Sequence, residues 1–189
     1  MFVLAGLGNV GPQYALNRHN VGFMVVDTLA QSYRFPDFKV KFHSLVSEGM
    51  IGPHKVMLCK PATFMNRSGQ ALGPLMHFYK LPLDNLYVVH DDLDLSFGRI
   101  KIKQGGGSGG HKGLGSLDQA IGQDYWRLRV GIGHPGHADA VSAYVLGNFN
   151  GHEQKELIPL LTSIAEWSPE LFGCNPAVWL NQVSQRLKP

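Results

Sequence analysis

Along this chain the spacing of apolar and polar positions switches repeatedly between a period of two and a period of 3.6. Phe2 to Ala5 is a short apolar run closed by Gly6, which predicts a strand followed by a turn. After a loop, Val21 to Tyr33 is amphipathic at helical spacing, with Asn20 in the N-cap position. Ser44 to Lys60 holds two β-like runs separated by Gly52-Pro53, the punctuation of a hairpin. Ser68 to Tyr79 places Leu72, Leu75, Met76 and Tyr79 on one helical face, although Gly73 and Pro74 should loosen or kink it. Leu86 to His90 reads as a buried strand. In Arg99 to Lys103 the alternation sets Arg99, Lys101 and Lys103 on one face and Ile100 and Ile102 on the other. Leu114 to Ile121 then reads as a helix and Trp126 to Ile132 as a strand. Ala138 to Val145, Gly151 to Trp167 and Pro176 to Leu187 read as helices, the last with Asn175 as cap and Pro176 at its first position. Strands interleaved with helices predict an α/β fold, a mixed twisted sheet covered by helices on both faces, and no repeat or linker divides residues 1–189 into more than one domain.

Composition narrows the class. With 189 residues, 44% hydrophobic and 16% charged, the chain can bury a sizeable core. Its 23 glycines and 11 prolines follow no fixed period, which excludes collagen-like and low-complexity readings. No apolar run approaches the roughly 18–20 residues of a membrane span, and Met1-Phe2-Val3 lacks the basic start of a signal peptide, so a soluble protein is expected. Cys59 and Cys174 are distant and lack metal-ligand spacing, which fits packing residues in a reducing cytoplasm. A net charge of +3 does not announce a nucleic-acid partner, but it is unevenly spread. No acid stands between Asp94 and Asp118, where Arg99, Lys101, Lys103 and Lys112 lie, so a basic patch is expected there.

Several motifs suggest chemistry, each with a plainer explanation. Gly6-Leu7-Gly8-Asn9-Val10-Gly11 satisfies the dinucleotide-binding G-x-G-x-x-G after a strand, but Pro12 follows directly and the helix starts only near Asn20. Gly106-Gly107-Ser108-Gly109-Gly110 fits the G-x-S-x-G of serine hydrolases, yet so glycine-rich a run describes a pliant loop better than a strained elbow. No Gly-Lys-Ser or Gly-Lys-Thr occurs, which excludes a Walker A loop. Metal ligands could come from His134-x-x-His137, or from His90 with Asp91, Asp92 and Asp94, but neither set matches a metal signature. His43, His54, His77 and His152 read as surface histidines, and Asp92 and Asp94 as loop caps.

A sharper set is His19 in the loop after the first strand, Asp91 at the end of a central strand, and Asn9 and Asn66 in two other loops. A neutral imidazole with a pKa near ~6.5 can take a proton from water, and a carboxylate on its other nitrogen fixes the tautomer and stabilises the imidazolium. Asparagine amides can donate to a carbonyl oxygen that becomes negative during ester hydrolysis. Such acid–base help is typically worth ~10² to 10⁴ in rate. The plainer reading is that these groups only satisfy loops.

Taken together, Gly6-Leu7-Gly8-Asn9, Tyr14, Arg18-His19-Asn20-x-Gly22-Phe23, Lys60-Pro61-x-Thr63-Phe64-Met65-Asn66-x-Ser68-Gly69, Asp91-Asp92-Leu93-Asp94-Leu95, Gly109-Gly110-His111 and Arg127-Leu128-Arg129-Val130-Gly131-Ile132-Gly133-His134-Pro135 closely resemble the bacterial peptidyl-tRNA hydrolase family. The resemblance covers essentially the whole chain, in the family's order. It implies a monomeric, cytoplasmic enzyme, without metal or other cofactor, that cleaves the ester between a peptide and the 3′-terminal ribose of tRNA. By position, His19 would accept the proton of the attacking water and Asp91 would support its basic form. Asn9 would inspect the peptide end and reject an unblocked aminoacyl group. Asn66 would hold substrate near the scissile bond, with Tyr14, Phe64 and Met65 lining the cleft. Lys103 and Arg129, with Lys101, would meet phosphates of the acceptor arm. Three positions depart from the family pattern: Val10 stands for the usual proline, Asn17 for threonine, and Lys112 for the asparagine after the histidine. Lys112 keeps a substrate-binding position, with an ammonium in place of an amide. Two other functions remain to be separated from this one: a serine esterase acting through Ser108, and a tRNA-binding protein that kept the fold without catalysis.

Overall fold

The first apolar run forms β1 (Phe2–Gly6). In the computed structural model, which describes residues 1–173 and 176–186, it lies in the middle of a seven-stranded sheet. The other strands are β2 (Lys39–Lys41), β3 (Ser44–Ile51), β4 (His54–Pro61), β5 (Leu86–Asp92), β6 (Ile100–Gln104) and β7 (Trp126–Gly131). Their order is β2-β3-β4-β1-β5-β7-β6. The four central strands β4, β1, β5 and β7 run parallel, and β2, β3 and β6 pair antiparallel at the edges. The helices are α1 (Val21–Ser32), α2 (Ser68–Phe78), α3 (Lys112–Ile121), α4 (Val141–Val145), α5 (Gly151–Glu166), α6 (Ser168–Gly173) and α7 (Pro176–Arg186).

Two apolar layers flank the sheet. On one face Val21, Val25 and Leu29 of α1 pack with Leu157 and Leu160 of α5, Leu171 of α6 and Trp179 of α7. On the other, Leu72, Leu75 and Met76 of α2 pack with Leu114 and Leu117 of α3 against Val3, Ala5 and Val88. The expected single-domain α/β class with both faces covered is therefore the observed one. The hairpin at Gly52-Pro53 is also present, Gly52 taking the left-handed conformation at a φ of 57°.

Differences from the sequence reading are local. The helix expected from Leu114 begins at Lys112, because the His111 side chain caps it two residues earlier. β5 continues past His90 through Asp92, since Asp91 and Asp92 pair in register with Val130 and Gly131. α2 runs through Gly73 and Pro74 as one helix. β2 and α6 were not legible: three exposed residues show no usable period, and Ser168-Pro169 reads as a breaker. Cys59 is buried on β4, and burial pushes its thiol up to about 12, as suits a packing residue. Asn175, Cys174 and Leu187 lie outside the described residues.

The topology determines where a site can form. From β1 the chain passes through α1 to β2–β4 on one side, then crosses β1 through α2 to reach β5 on the other. In such sheets a crevice opens beyond the carboxyl ends of the strands where the winding reverses. Here those ends carry Leu7 to Asn9 after β1 and Asp91-Asp92 on β5.

Candidate active site

His19 sits in a single 3-10 turn, Arg18–Asn20, directly before α1. The turn is pinned on both sides. Asn17 bridges Asn148 through backbone pairing and through its Nδ2, 2.7 Å from Asn148 Oδ1. Arg18 donates to Glu153 at 2.8 Å and lies over the Tyr144 ring at 4.3 Å. Close packing at Gly22 completes the placement, because a Cβ there would stand 2.5 Å from backbone atoms of Leu7 and Val89. Only glycine lets the start of α1 approach β1 and β5 so closely.

That approach brings His19 to Asp91. Nδ1 of His19 lies 2.8 and 2.9 Å from the two carboxylate oxygens. His111 reaches the same carboxylate, its Nε2 3.0 Å from Oδ1. The proton on His111 is dictated by its other nitrogen, since Nδ1 accepts the backbone N–H groups of Gly113 and Leu114 at the start of α3. A neutral His111 must then carry hydrogen on Nε2 and donate it to Asp91. Burial opposes ionisation of Asp91, but attraction to and hydrogen bonds from His111, together with those from His19, outweigh it and hold the carboxyl well below the usual range. An ionised Asp91 in turn orients His19 with Nδ1–H toward it, and Nε2 is left without a partner among the described residues, on a residue that lines a large cavity.

His90 is a third imidazole in the cluster. Its Nδ1 donates to the Asp91 carbonyl at 2.7 Å, and its ring meets the His111 ring edge-on at 5.2 Å. Burial, with repulsion from His111, drops its pKa to about 3, so it is a neutral wall of the site.

Asn9 is held by its neighbours. Its backbone N–H donates to Asn20 Oδ1 at 2.9 Å, and Asn20 Nδ2 returns a bond to the Asn9 carbonyl at 2.9 Å. Asn20 is the N-cap residue of α1, as the sequence suggested, but its side chain serves this pairing instead of the helix end. Oδ1 of Asn9 accepts the Met65 N–H at 3.0 Å, which assigns the amide orientation and leaves Nδ2 without a partner among the described residues.

The cavity in front of these groups has a volume of about 950 Å³. Its walls include Asn9, His19, Asp91, Phe64, Met65, Asn66, Lys112, Lys103 and Arg129, so nearly all the residues singled out from sequence converge on it. Tyr14 does not. It lies in the 3-10 turn Pro12–Tyr14, off the wall of this cavity. Lys112 occupies the first turn of α3, exposed beside the His111 cap. Lys103 is exposed at the rim, its Nζ folded over the glycine loop within 2.8 Å of where a Gly106 Cβ would be. Arg129 is more constrained, because its Nε donates to Asp92 at 2.6 Å. Asp92 also accepts from the Asp94 N–H, so it does cap the loop. Arg99 and Lys101 lie off the walls.

Three contributors escaped the sequence reading. His111 stood in a recognised motif without a role, and its position before a helix start was the available signal. Asn20 was likewise in a recognised motif but read only as a helix cap, and His90 was weighed only as a metal ligand. Arg127 is fully buried, bonded to Asp118 and to the Gly107 carbonyl, both at 2.8 Å, and so ties the glycine loop to β7 and α3.

Among the described residues, the three-residue cluster of ligand types is His19, Asp91 and His111, whose donor atoms fall within 4.8 Å of one another. Their chemistry does not suit a cation. The His111 lone pair is spent on the helix cap, so its Nε2 points a hydrogen at Asp91. At the sequence-suggested His134-x-x-His137, His134 Nδ1 is occupied by the Gly136 N–H in an exposed turn. Among the described residues Ser108 Oγ has no imidazole partner, and Ser108 itself is not in the positive-φ conformation, so the strained elbow of a serine hydrolase is not formed. The G-x-G-x-x-G glycines serve packing: a Cβ on Gly6 would stand 2.1 Å from the Gly22 carbonyl oxygen.

An Asp-oriented imidazole whose Nε2 has no partner among the described residues, facing an open cleft at the reversal point of a parallel-centred sheet, suits an α/β protein of the hydrolase class. The family model for peptidyl-tRNA hydrolase matches residues 3–188. The chain belongs to that family. It is 50% identical over 186 residues to the peptidyl-tRNA hydrolase of Novosphingobium aromaticivorans, across 98% of this chain and 97% of that protein. To the Rhodospirillum centenum peptidyl-tRNA hydrolase it is 48% identical over 189 residues, across 100% of this chain and 83% of that one. The crystal structure of Acinetobacter baumannii peptidyl-tRNA hydrolase superposes with a TM-score of 0.92 at 38% identity, covering 97% of this chain and 94% of that one.

Proposed function

We propose that residues 1–189 act as one catalytic domain that hydrolyses the ester between a peptide and the 3′-terminal ribose of tRNA, with His19 as the base. Nε2 of His19 takes a proton from water as the oxygen attacks the ester carbonyl. Asp91 stabilises the imidazolium, which then returns the proton to the departing ribose oxygen. The products are free peptide and tRNA. The observation that carries this reading is the pairing of His19 with a buried, ionised Asp91 while Nε2, at the cavity wall, has no partner among the described residues.

Asn9 contributes selectivity through its fixed orientation. With Oδ1 occupied by Met65, only the donor Nδ2 is offered to substrate. A peptide carbonyl accepts from it, whereas the ammonium of an unblocked aminoacyl-tRNA is itself a donor and finds no acceptor. Asn66 and Lys112 would hold the substrate near the scissile bond, between the Phe64 and Met65 walls. Lys103 and Arg129 would meet acceptor-arm phosphates. The family resemblance supports reading the enzyme as a cytoplasmic monomer; separately, no described helix is long and apolar enough to cross a membrane.

Purified protein should release peptide from N-blocked aminoacyl-tRNA and leave free aminoacyl-tRNA largely intact. Binding without release would leave only a tRNA-binding role. Inactivation by a serine-directed acylating reagent would return Ser108 to consideration. Asn9→Asp should shift the ratio of blocked to unblocked hydrolysis toward the unblocked ester by about tenfold, since the new oxygen attracts the ammonium. An unmoved ratio on the same tRNA would show that Asn9 does not inspect the peptide end. Lys103→Ala should raise KM on full peptidyl-tRNA and lower the salt slope by about one unit, with little effect on a peptidyl-adenosine ester. Arg129→Ala should act less cleanly, because it also breaks the pair with Asp92. Equal losses on both substrates would place Lys103 in the chemistry or the fold.

A further inference from the structure

We propose that a second cleft, of about 430 Å³ and sharing the walls Phe64 and Arg67 with the first, holds the peptide arm upstream of the esterified residue, with Arg67 as a specificity-determining contact. The inference rests on reading the first cavity as the ester-cleaving site. The substrate has two arms that diverge at the scissile carbonyl. Sheet order separates the surfaces available to them: Lys103 on β6 and Arg129 on β7 lie on one side of β1 and β5, while the second cleft is built from the other side. Val10 follows β1, Ala62 to Arg67 follow β4, and His43 turns between β2 and β3. If the acceptor arm takes the β6–β7 side, the peptide leaves His19 toward β4, past Phe64.

The lining chemistry suits a peptide. Val10 and Phe64 are 45% and 66% exposed, an apolar shelf where a side chain can gain burial. The Arg67 guanidinium has no hydrogen-bond or ion-pair partner among the described residues, and no acid lines the cleft. Its charge is available for peptide carbonyls and above all for an acidic side chain. An RNA phosphate would also satisfy Arg67, and the test separates the two.

Arg67→Gln would be compared with the parent on three esters of one tRNA: N-acetyl-phenylalanine, and N-acetylated tripeptides ending in phenylalanine with aspartate or alanine at the first position. The expected result is a KM raised roughly three- to tenfold for the aspartate tripeptide, less for the alanine tripeptide and not at all for the single residue, with kcat unchanged. Arg67→Lys should recover part of the aspartate preference. An equal rise on all three esters would assign Arg67 to the RNA or the fold and overturn the proposal, as would no change on any. If the parent cleaves none of the three, it is the hydrolase reading that fails, independently of Arg67.

Discussion

His19→Ala should lower peptidyl-tRNA hydrolysis by about 10²- to 10⁴-fold while tRNA affinity stays within about twofold of the parent. The split follows from geometry. Nε2 of His19 has no hydrogen-bond partner among the described residues, so its contribution is made to the water and the transition state. The surrounding anchors do not depend on the ring, since Asn17 and Arg18 hold the turn through Asn148, Tyr144 and Glu153. Asp91 also retains its bond from His111. Single-turnover rates with saturating enzyme, beside a filter-binding isotherm on deacylated tRNA, measure the two quantities separately. Activity within twofold of the parent would remove His19 from the base role.

Asp91→Asn should lower the rate by about 10²-fold or more and also change how stability depends on pH. The carboxylate accepts from two imidazoles whose donating hydrogens both point at it. An amide oxygen at the shared Oδ1 position can still face both rings, but the amide nitrogen then replaces Oδ2, 2.9 Å from His19 Nδ1, and sets a donor against the donor that bonded it. His111 is committed by the α3 cap, which makes His19 the ring that turns or changes tautomer and loses its aim at water. The pH effect has a defined sign. Because the folded-state carboxyl is depressed, its stabilisation is present above the ordinary value of about 3.9 and is lost as pH falls, the unfolded chain taking up the proton first. Asp91→Asn should therefore flatten the acid side of the stability curve below that value. His90 produces a separate decline that begins near 6.5 and continues toward about 3, because its neutral ring resists protonation in the folded state; this part should persist in the variant. Urea melts between pH 3 and 7 would distinguish the two windows. A variant curve parallel to the parent's below about 4 would show that Asp91 is not held ionised.

Much of the chemistry was legible because it is carried by short segments. The Gly-Leu-Gly-Asn, Arg-His-Asn and Asp-Asp blocks are each contiguous, and their resemblance to one family was specific in combination. The same holds for elements defined by local period, such as the alternating β6 or the α1 face, where neighbouring residues decide the outcome. Tyr14 shows the limit of carrying a role by motif, since a contiguous match says nothing about which cavity wall a turn presents.

What the sequence determined by itself was therefore the set of strands and helices long enough to show a period, the α/β class, and the family. The tertiary structure alone decided that His111, 20 residues from Asp91, shares its carboxylate with His19, 72 residues away, and that Met65 orients Asn9 across 56 residues. It also decided that Arg129 is partly neutralised by Asp92 while Lys103 is not, and that Arg127 is buried beneath the glycine loop. The physical reason is that period and cap chemistry act between residues within one or two turns. Proton positions and charge pairing depend instead on atoms at hydrogen-bond distance, and those are brought together here by the strand order β4-β1-β5-β7 and by the close passage of Gly22 against Leu7 and Val89.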